Sequence, residues 1–576
     1  MSNAADDVFA QAKTDPGHPL FARESGEGEW WTVTAEEFAG QVVAVARGLV
    51  AAGIRPGDRI AVMSPTRFEW VLADYAIWTV GAVTVPIYET NSAEQAAWIL
   101  ADSGALAAFA GNSRLAALVE PVGGPVWSFD DGGLESLVAQ GETLRNGDVR
   151  RIRTTDPDAV ATIVYTSGTT GRPKGCVLTH GNLVDVVDSI VRFDDLAERV
   201  LAPEASLLLF LPLAHILARV VQLAVIRRGT LTGHFGDVGA VASAFRTFRP
   251  TLILAVPRVY EKLVNAAARE AAASGRGRVF GMAQRVAVRY SDKGRSRLAH
   301  RVFDRLVYRK LRDALGGRVE YTVSGGAPLA PELAHFLRGA GIPVLEGYGL
   351  TETTAATTLN PPGAERVGTV GMPLPGWDVR IASDGEVLLR GPGVFRGYWH
   401  NDEATATALE GGWLRTGDIG ELHDGYLTIT ARKKELIVTA GGKNVAPAFL
   451  EDRLHAHWLI DNCVVVGDRR PFVGALLTLD PEGFDDWKRA HDKPSGASVA
   501  ELRHDPDLSV TLRSVIDEVN QAVSRAEAIK DFRVLPARFT VNDELTPTQK
   551  VRREYVLTKY ADDIEELYWR GERRPA

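Results

Sequence analysis

Cysteine is nearly absent: the 576 residues include only Cys176 and Cys463. Two thiols so far apart build neither a disulfide framework nor a zinc cluster, and they predict a reducing, cytoplasmic setting. The start, MSNAADDVFAQAKTD, lacks the basic head and apolar core of a secretory leader, so export is not expected. Long apolar runs are missing too. The longest, Leu207 to Ile226, is broken by Pro212, His215 and Arg219, which favours a buried strand followed by a helix over a membrane span. Peripheral contact with the inner face of a membrane stays open, as does oligomeric state. The chain has no low-complexity tract and no repeat of fixed period, which removes disordered, solenoid and propeller readings. A formal charge of -8 argues against a nucleic-acid partner.

With 45% apolar and 24% charged residues the composition is that of an ordinary globular protein, and the length calls for at least two domains. Thr34 and Glu37 are spaced as a capping box. Phe38, Val42, Val45 and Leu49 follow at helical spacing until Gly53, and a strand is expected from Ile60 to Met63. Further buried strands are expected at Ala159 to Tyr165, Leu207 to Leu211 and Thr251 to Val256, each followed by a loop or helix. The fold class is therefore α/β: a large multi-layer N-terminal domain, residues 1–433, with parallel or mixed sheets, and a smaller α+β domain, residues 434–576. The charged run Arg432-Lys433-Lys434-Glu435 marks the boundary. Between Arg258 and Arg318 basic residues dominate a helical stretch, suited to anionic lipid, to a phosphate-bearing ligand, or simply to a solvated face whose arginines cover apolar surface.

The segment YTSGTTGRPKG, Tyr165 to Gly175, follows one of these strands. Glycines such as Gly168 and Gly171 allow close backbone approach. The amides and hydroxyls of Thr166, Ser167, Thr169 and Thr170 can donate to phosphoryl oxygens, and Lys174 adds positive charge. A Walker loop needs Gly before the Lys, Ser or Thr after it, and a helix beyond. Here Pro173 and Gly175 flank Lys174, and the following CVL reads as a strand, so a phosphate-binding loop of another kind, or a bare turn, is expected.

At this point the chain resembles the adenylate-forming superfamily. LPLAH (Leu211 to His215), SGGAPL (Ser324 to Leu329), EGYGLTE (Glu346 to Glu352), WLRTGD (Trp413 to Asp418), ARKKELIVTAGGKNV (Ala431 to Val445) and TPTQK (Thr546 to Lys550) occur in the family's order. The resemblance implies that ATP binds through the Thr166 loop and through Glu346, Gly347, Tyr348, Gly349 and Thr351. Gly325, Gly326 and Ala327 would border the adenine. Tyr348 offers a flat face to the purine, Thr351 a hydroxyl to the α-phosphate and Glu352 a hard oxygen to Mg2+. Asp418, in a Thr-Gly-Asp turn, would hold the ribose with help from Arg432. Lys550 would neutralise charge as pyrophosphate leaves, Lys434 would act as the hinge of a mobile C-terminal domain, and Gly442 would leave room for the pantetheine arm of coenzyme A. Ala431 departs from the Gly or Asp found in many members.

Each residue alone has a plainer reading: Tyr348 as a core aromatic, Glu352 as a helix-start carboxylate, Asp418 as an exposed turn residue, Lys550 as a surface charge. His215 resembles the gate beside an acyl tunnel and reads equally as a hydrogen-bonded core histidine. LPLAHILAR, PRVYEKL, the basic helical insertion and EGYGLTETT look like the long-chain fatty acyl branch. The expected activity is ligation of a fatty acid to coenzyme A through an acyl-adenylate. The competing readings are a fatty acyl-AMP ligase that loads a carrier protein, an aryl or medium-chain acyl-CoA ligase, and a nucleotide or lipid sensor without activity.

Overall fold

The computed structural model describes residues 3–25, 28–144, 156–166, 172–237, 239–295, 297–440, 443–541, 543–546 and 549–571. Local signals translate directly. Thr34 caps the helix Ala35–Ala51: its hydroxyl accepts from the Glu37 amide and the Glu37 carboxylate accepts from the Thr34 amide, which satisfies two amides that a helix start leaves open. Gly53 adopts φ +87° just beyond that helix, and the strand Arg59–Met63 follows.

Two sheets carry the large domain. Among the described residues, one has seven strands in the order Gly397–Tyr398, Lys174–Thr179, Val160–Thr166, Val83–Ile87, Arg59–Met63, Ala107–Ala110 and Val126–Ser128. Its five far strands run parallel, and Val160–Thr166 turns back antiparallel into Lys174–Thr179. The other sheet has nine strands; its parallel centre includes Ser206–Leu209, Leu252–Ala255, Tyr321–Ser324 and Val344–Tyr348. The strand expected from Leu207 and the helix after it are Ser206–Leu209 and Ile216–Arg228, and among the described residues no helix is long and apolar enough to cross a membrane. A third sheet, antiparallel, contains Glu386–Arg390, Trp413–His423 and Tyr426–Arg432.

The helix Phe68–Thr79 is buried along its whole length. Inside it Asp74 accepts from Arg219 Nε at 3.0 Å and Nη2 at 2.7 Å and from the Thr84 hydroxyl at 2.6 Å. The guanidinium lies 5.4 Å from the Trp70 ring centroid and 5.2 Å from that of Trp78. Removing water from two charges is tolerable here because every strong donor direction is answered.

The C-terminal domain is separate. Its strands Ile460–Val466, Val473–Leu479 and Ile529–Val534 form a small sheet with its own cores, one around Trp487 and one around Phe539 and Tyr568. The basic stretch is helical as expected, in the segments Pro257–Ala273, Gly277–Lys293 and Arg297–Ala314, the last containing a π-helical turn at Asp304–Tyr308.

Candidate active site

A crevice of about 2280 Å³ runs between the large domain and the C-terminal domain. Parallel strands deliver residues to it from their C-terminal ends, where such sheets place ligands. Thr166 ends its strand at this edge, and Lys174 opens the returning strand, with Nζ 5.1 Å from the Tyr398 ring centroid. The two strands pair antiparallel, so Lys174 opens a strand and not the helix that follows a Walker lysine. Ser167, Gly168, Thr169, Thr170 and Gly171, like Gly442, lie outside the described residues.

After the strand Tyr321–Ser324, Gly325, Gly326 and Ala327 line the crevice, and Gly326 takes φ +83°, open to glycine at no steric cost. Glu346 lies buried in the middle of the neighbouring strand Val344–Tyr348, opposite Ser324, its Oε1 accepting from the Leu329 amide at 3.2 Å. Burial pushes its pKa up to about 8, so the carboxyl is largely protonated at neutral pH. Gly347 pairs with Leu359 across the next strand. At Gly349 a Cβ would stand 1.4 Å from the Ala355 carbonyl oxygen, so no other residue fits the turn that carries Thr351 and Glu352 to the crevice. Glu352 accepts from the Tyr398 hydroxyl at 2.8 Å. Tyr398 escaped the sequence reading; it stands in the Gly397-Tyr398-Trp399 run, and only the pairing of Gly397–Tyr398 with Lys174–Thr179 brings it here.

Asp418 corrects an expectation. It stands within the long strand Trp413–His423, directly across from Arg432, and is 3% exposed rather than the tip of an exposed turn. The glycine of the Thr-Gly-Asp run, with φ +70°, kinks the strand just before it. The Asp418 carboxylate accepts from the Tyr348 hydroxyl at 2.7 Å and from Arg432 Nε at 3.0 Å. Burial, then the Asp418 charge, hold the Tyr348 phenol well above its ordinary pKa, so it remains a hydrogen-bond donor.

His215 caps the helix Ile216–Arg228 and lines the crevice. Its Nδ1 accepts from the Leu217 amide at 3.2 Å, which leaves the proton on Nε2, and burial, then the Lys550 charge, push its pKa down to about 4. Lys550 comes from the C-terminal domain in a turn closed by hydrogen bonds with Thr546, among them the Lys550 amide donating to the Thr546 hydroxyl at 3.0 Å. Its side chain is exposed within the crevice, with Arg432, Asp418, Glu435 and His215 the charges and ring around it. Burial, then Arg432, push its pKa down to about 8. Lys434 is exposed at the rim, in the turn where the Glu435 amide donates to the Arg432 carbonyl, between the strand Tyr426–Arg432 and the C-terminal domain.

Part of the crevice wall is apolar. Ile190, Val221 and Ala224 come from two helices and Leu254 from a strand, while Val288 and Phe336 come from helices on the side of the basic stretch. No cluster of three or more His, Cys, Asp or Glu side chains that could hold a metal alone occurs among the described residues.

Comparison with known proteins identifies the arrangement. The model of the AMP-binding enzyme family matches residues 8–399, and that of the AMP-binding enzyme C-terminal domain matches residues 434–572. The long-chain-fatty-acid–CoA ligase FadD15 of Mycobacterium tuberculosis is 46% identical, over 98% of this chain and 97% of its own length. The peroxisomal long chain acyl-CoA synthetase 7 of Arabidopsis thaliana is 32% identical, over 94% and 82%. Among solved structures, ATP-bound MatB from Rhodopseudomonas palustris superposes with a TM-score of 0.72 at 23% identity, covering 98% of this chain and 99% of that one. O-succinylbenzoate coenzyme A synthetase from Bacillus subtilis in complex with AMP gives 0.69 at 22%, covering 95% and 97%. The two structures establish the fold. The chain belongs to the AMP-binding enzyme family, and within that adenylate-forming superfamily it groups by sequence with proteins named long-chain acyl-CoA synthetases.

Proposed function

We propose that this protein is a long-chain fatty acid–CoA ligase that forms an acyl-adenylate from a fatty acid and ATP and then passes the acyl group to coenzyme A. The observation that carries the reading is the meeting of Lys550 with Asp418, Arg432 and His215 in one crevice that also has an apolar wall of Ile190, Val221, Ala224 and Leu254. Full-length identity to relatives carrying that name supports it.

A carboxylate cannot expel its own oxygen, so its oxygen attacks the α-phosphorus of ATP and the bond to pyrophosphate breaks. Lys174, Thr166 and the hydroxyl-rich loop beyond it would cradle the phosphates, and Asp418 with Arg432 would hold the ribose. Tyr348 and the backbone around Gly325, Gly326 and Ala327 would flank the purine, with Glu346, Gly347 and Gly349 fixing that wall. Thr351 would donate to the α-phosphate. Lys550 adds a positive charge that is most useful as negative charge gathers on the α-phosphate. Glu352, held by the Tyr398 hydroxyl, would offer a carboxylate oxygen to Mg2+, a cation that takes one or two carboxylates plus phosphate. Such an ion would neutralise phosphate charge. His215, neutral and capping its helix, would stand where nucleotide space gives way to the apolar walls.

In the second step the thiolate of coenzyme A attacks the acyl carbonyl carbon and AMP departs. The observed placement of Lys550 suits the first step. We place the domain boundary at residues 433 and 434, with Lys434 as hinge; rotation there would withdraw Lys550 and open a path for the thiol, past Gly442. Pyrophosphate release measured over acids of increasing length, followed by thioester formation with coenzyme A or a carrier protein, tests the reading. Release that needs both ATP and a long-chain acid, with coenzyme A as acceptor, supports it; a folded protein inert with every acid refutes it.

A further inference from the structure

Among the described residues, the helical segment 297–314 has one face without a protein partner. Its inner side is well anchored: Tyr308 and Leu311 are buried, the Tyr308 hydroxyl donates to the Ala283 carbonyl at 2.7 Å, and the His300 ring stacks on Tyr290 with centroids 3.9 Å apart. The outer side repeats every four residues. Arg297, Arg301, Arg305 and Arg309 are all exposed, and beside them Leu298, Val302 and Leu306 are 80%, 57% and 53% exposed.

A four-residue repeat drifts around an α-helix, because a turn takes about 3.6 residues. The π-helical turn Asp304–Tyr308 adds a residue to one turn and offsets the drift, so both rows stay at the surface. Arginines four apart repel one another along a helix. Among the described residues none of these four is paired with a carboxylate, whereas Arg312, on the inner side, meets Asp304 at 2.8 Å. Within the chain the two rows thus carry a cost in repulsion and in exposed hydrocarbon, and nothing in the described protein offsets it.

We propose that this face docks on an anionic lipid bilayer, the aliphatic row entering the acyl boundary and the arginine row binding phosphodiester headgroups. Charge complementarity selects this occupant: a guanidinium row fits a dense array of phosphates, and the neighbouring aliphatic row fits hydrocarbon, which a nucleic acid does not offer. Met282 and Tyr290 on the adjacent helix Gly277–Lys293 are also exposed. The same helix lines the crevice through Gly281, Gln284 and Val288, so one helix joins the docking face to the cavity. Docking does not depend on which acid the enzyme uses.

The test is cosedimentation of the full-length protein with vesicles of phosphatidylcholine alone or mixed with phosphatidylglycerol. Expected is binding to the mixed vesicles only, weakened by salt. It should fall about tenfold or more in Arg301→Glu/Arg305→Glu and in Leu298→Ser/Leu306→Ser, while pyrophosphate release with a long-chain acid supplied without vesicles and the thermal midpoint stay unchanged. Equal binding by wild type and both variants, or no binding by wild type, overturns the proposal. So does a wild-type dimer in solution that both variants dissolve, which would make the face a contact between copies.

Discussion

Arg258 and Asp461 join the two domains: the guanidinium lies 2.5 Å from the carboxylate and 2.7 Å from the Asp461 carbonyl oxygen. Arg258 begins the helix Pro257–Ala273 of the large domain, and Asp461 belongs to the strand Ile460–Val466 of the small one. Asp461 is 3% exposed and also accepts from Arg538 at 2.9 Å, so the contact is desolvated and its partners fixed. Farther along the same helix Arg269 meets Glu482 at 2.6 Å. These contacts exist with Lys550 in the crevice, and they bias the domain toward that placement.

Arg258→Met should therefore slow acyl-adenylate formation, by about tenfold for one desolvated interface pair, and leave thioester formation from supplied acyl-adenylate unchanged or faster. Single-turnover measurement of each half-reaction separates the two. Equal slowing of both would show that the contact does not distinguish the placements.

The lowered pKa of Lys550 gives a pH dependence. The ammonium is the useful form, present below about 8 and lost above it, so kcat/KM for ATP in the first half-reaction should fall above that pH with the loss of one proton. ATP and fatty acid have already ionised at lower pH and do not confuse the profile. A rate that stays level to pH 10, about two units higher, would contradict the assignment.

Glu346 is protonated in the fold up to a pKa of about 8, against an ordinary value near 4.5. Between those values the unfolded chain releases the proton and the folded chain keeps it, so stability declines as pH rises through that window. Glu346→Gln keeps an oxygen for the Leu329 amide and removes the ionisation. Its unfolding free energy in urea should match wild type near pH 4.5 and exceed it near pH 8, by an amount on the order of a few kcal/mol at most. No gain at the higher pH would mean the carboxyl ionises in place.

Asp74→Ala leaves the Arg219 guanidinium buried without its carboxylate, and a loss of about 3–5 kcal/mol is expected from the urea midpoint. Asp74→Ala combined with Arg219→Met removes both charges and should lose less than the single change. If the double variant is the weaker, the pair is stabilising in itself.

The sequence was most legible where the signal is local. Thr34 and Glu37 define their cap within four residues, and the strand that Lys174 opens was readable because CVL has strand character and Pro173 and Gly175 break the Walker pattern. Arg432 opposite Asp418 was named as a helper, but the burial of Asp418 was not visible, because it depends on the register of two long strands and on a hydroxyl from Tyr348, 70 residues away. Tyr398 was missed for the same reason: it reaches Glu352 only after a two-residue strand pairs with one more than 200 positions earlier. Local chemistry writes caps and turns into neighbouring letters; contacts set by sheet register leave no such trace.

The central claim is that a lysine from the small domain completes the large domain's nucleotide crevice for the first step alone. Lys550→Ala, assayed separately for pyrophosphate release from ATP plus a long-chain acid and for thioester formation from supplied acyl-adenylate plus coenzyme A, tests it directly. The account predicts that the first activity is lost and the second is kept; equal loss of both, or full retention of the first, would contradict it.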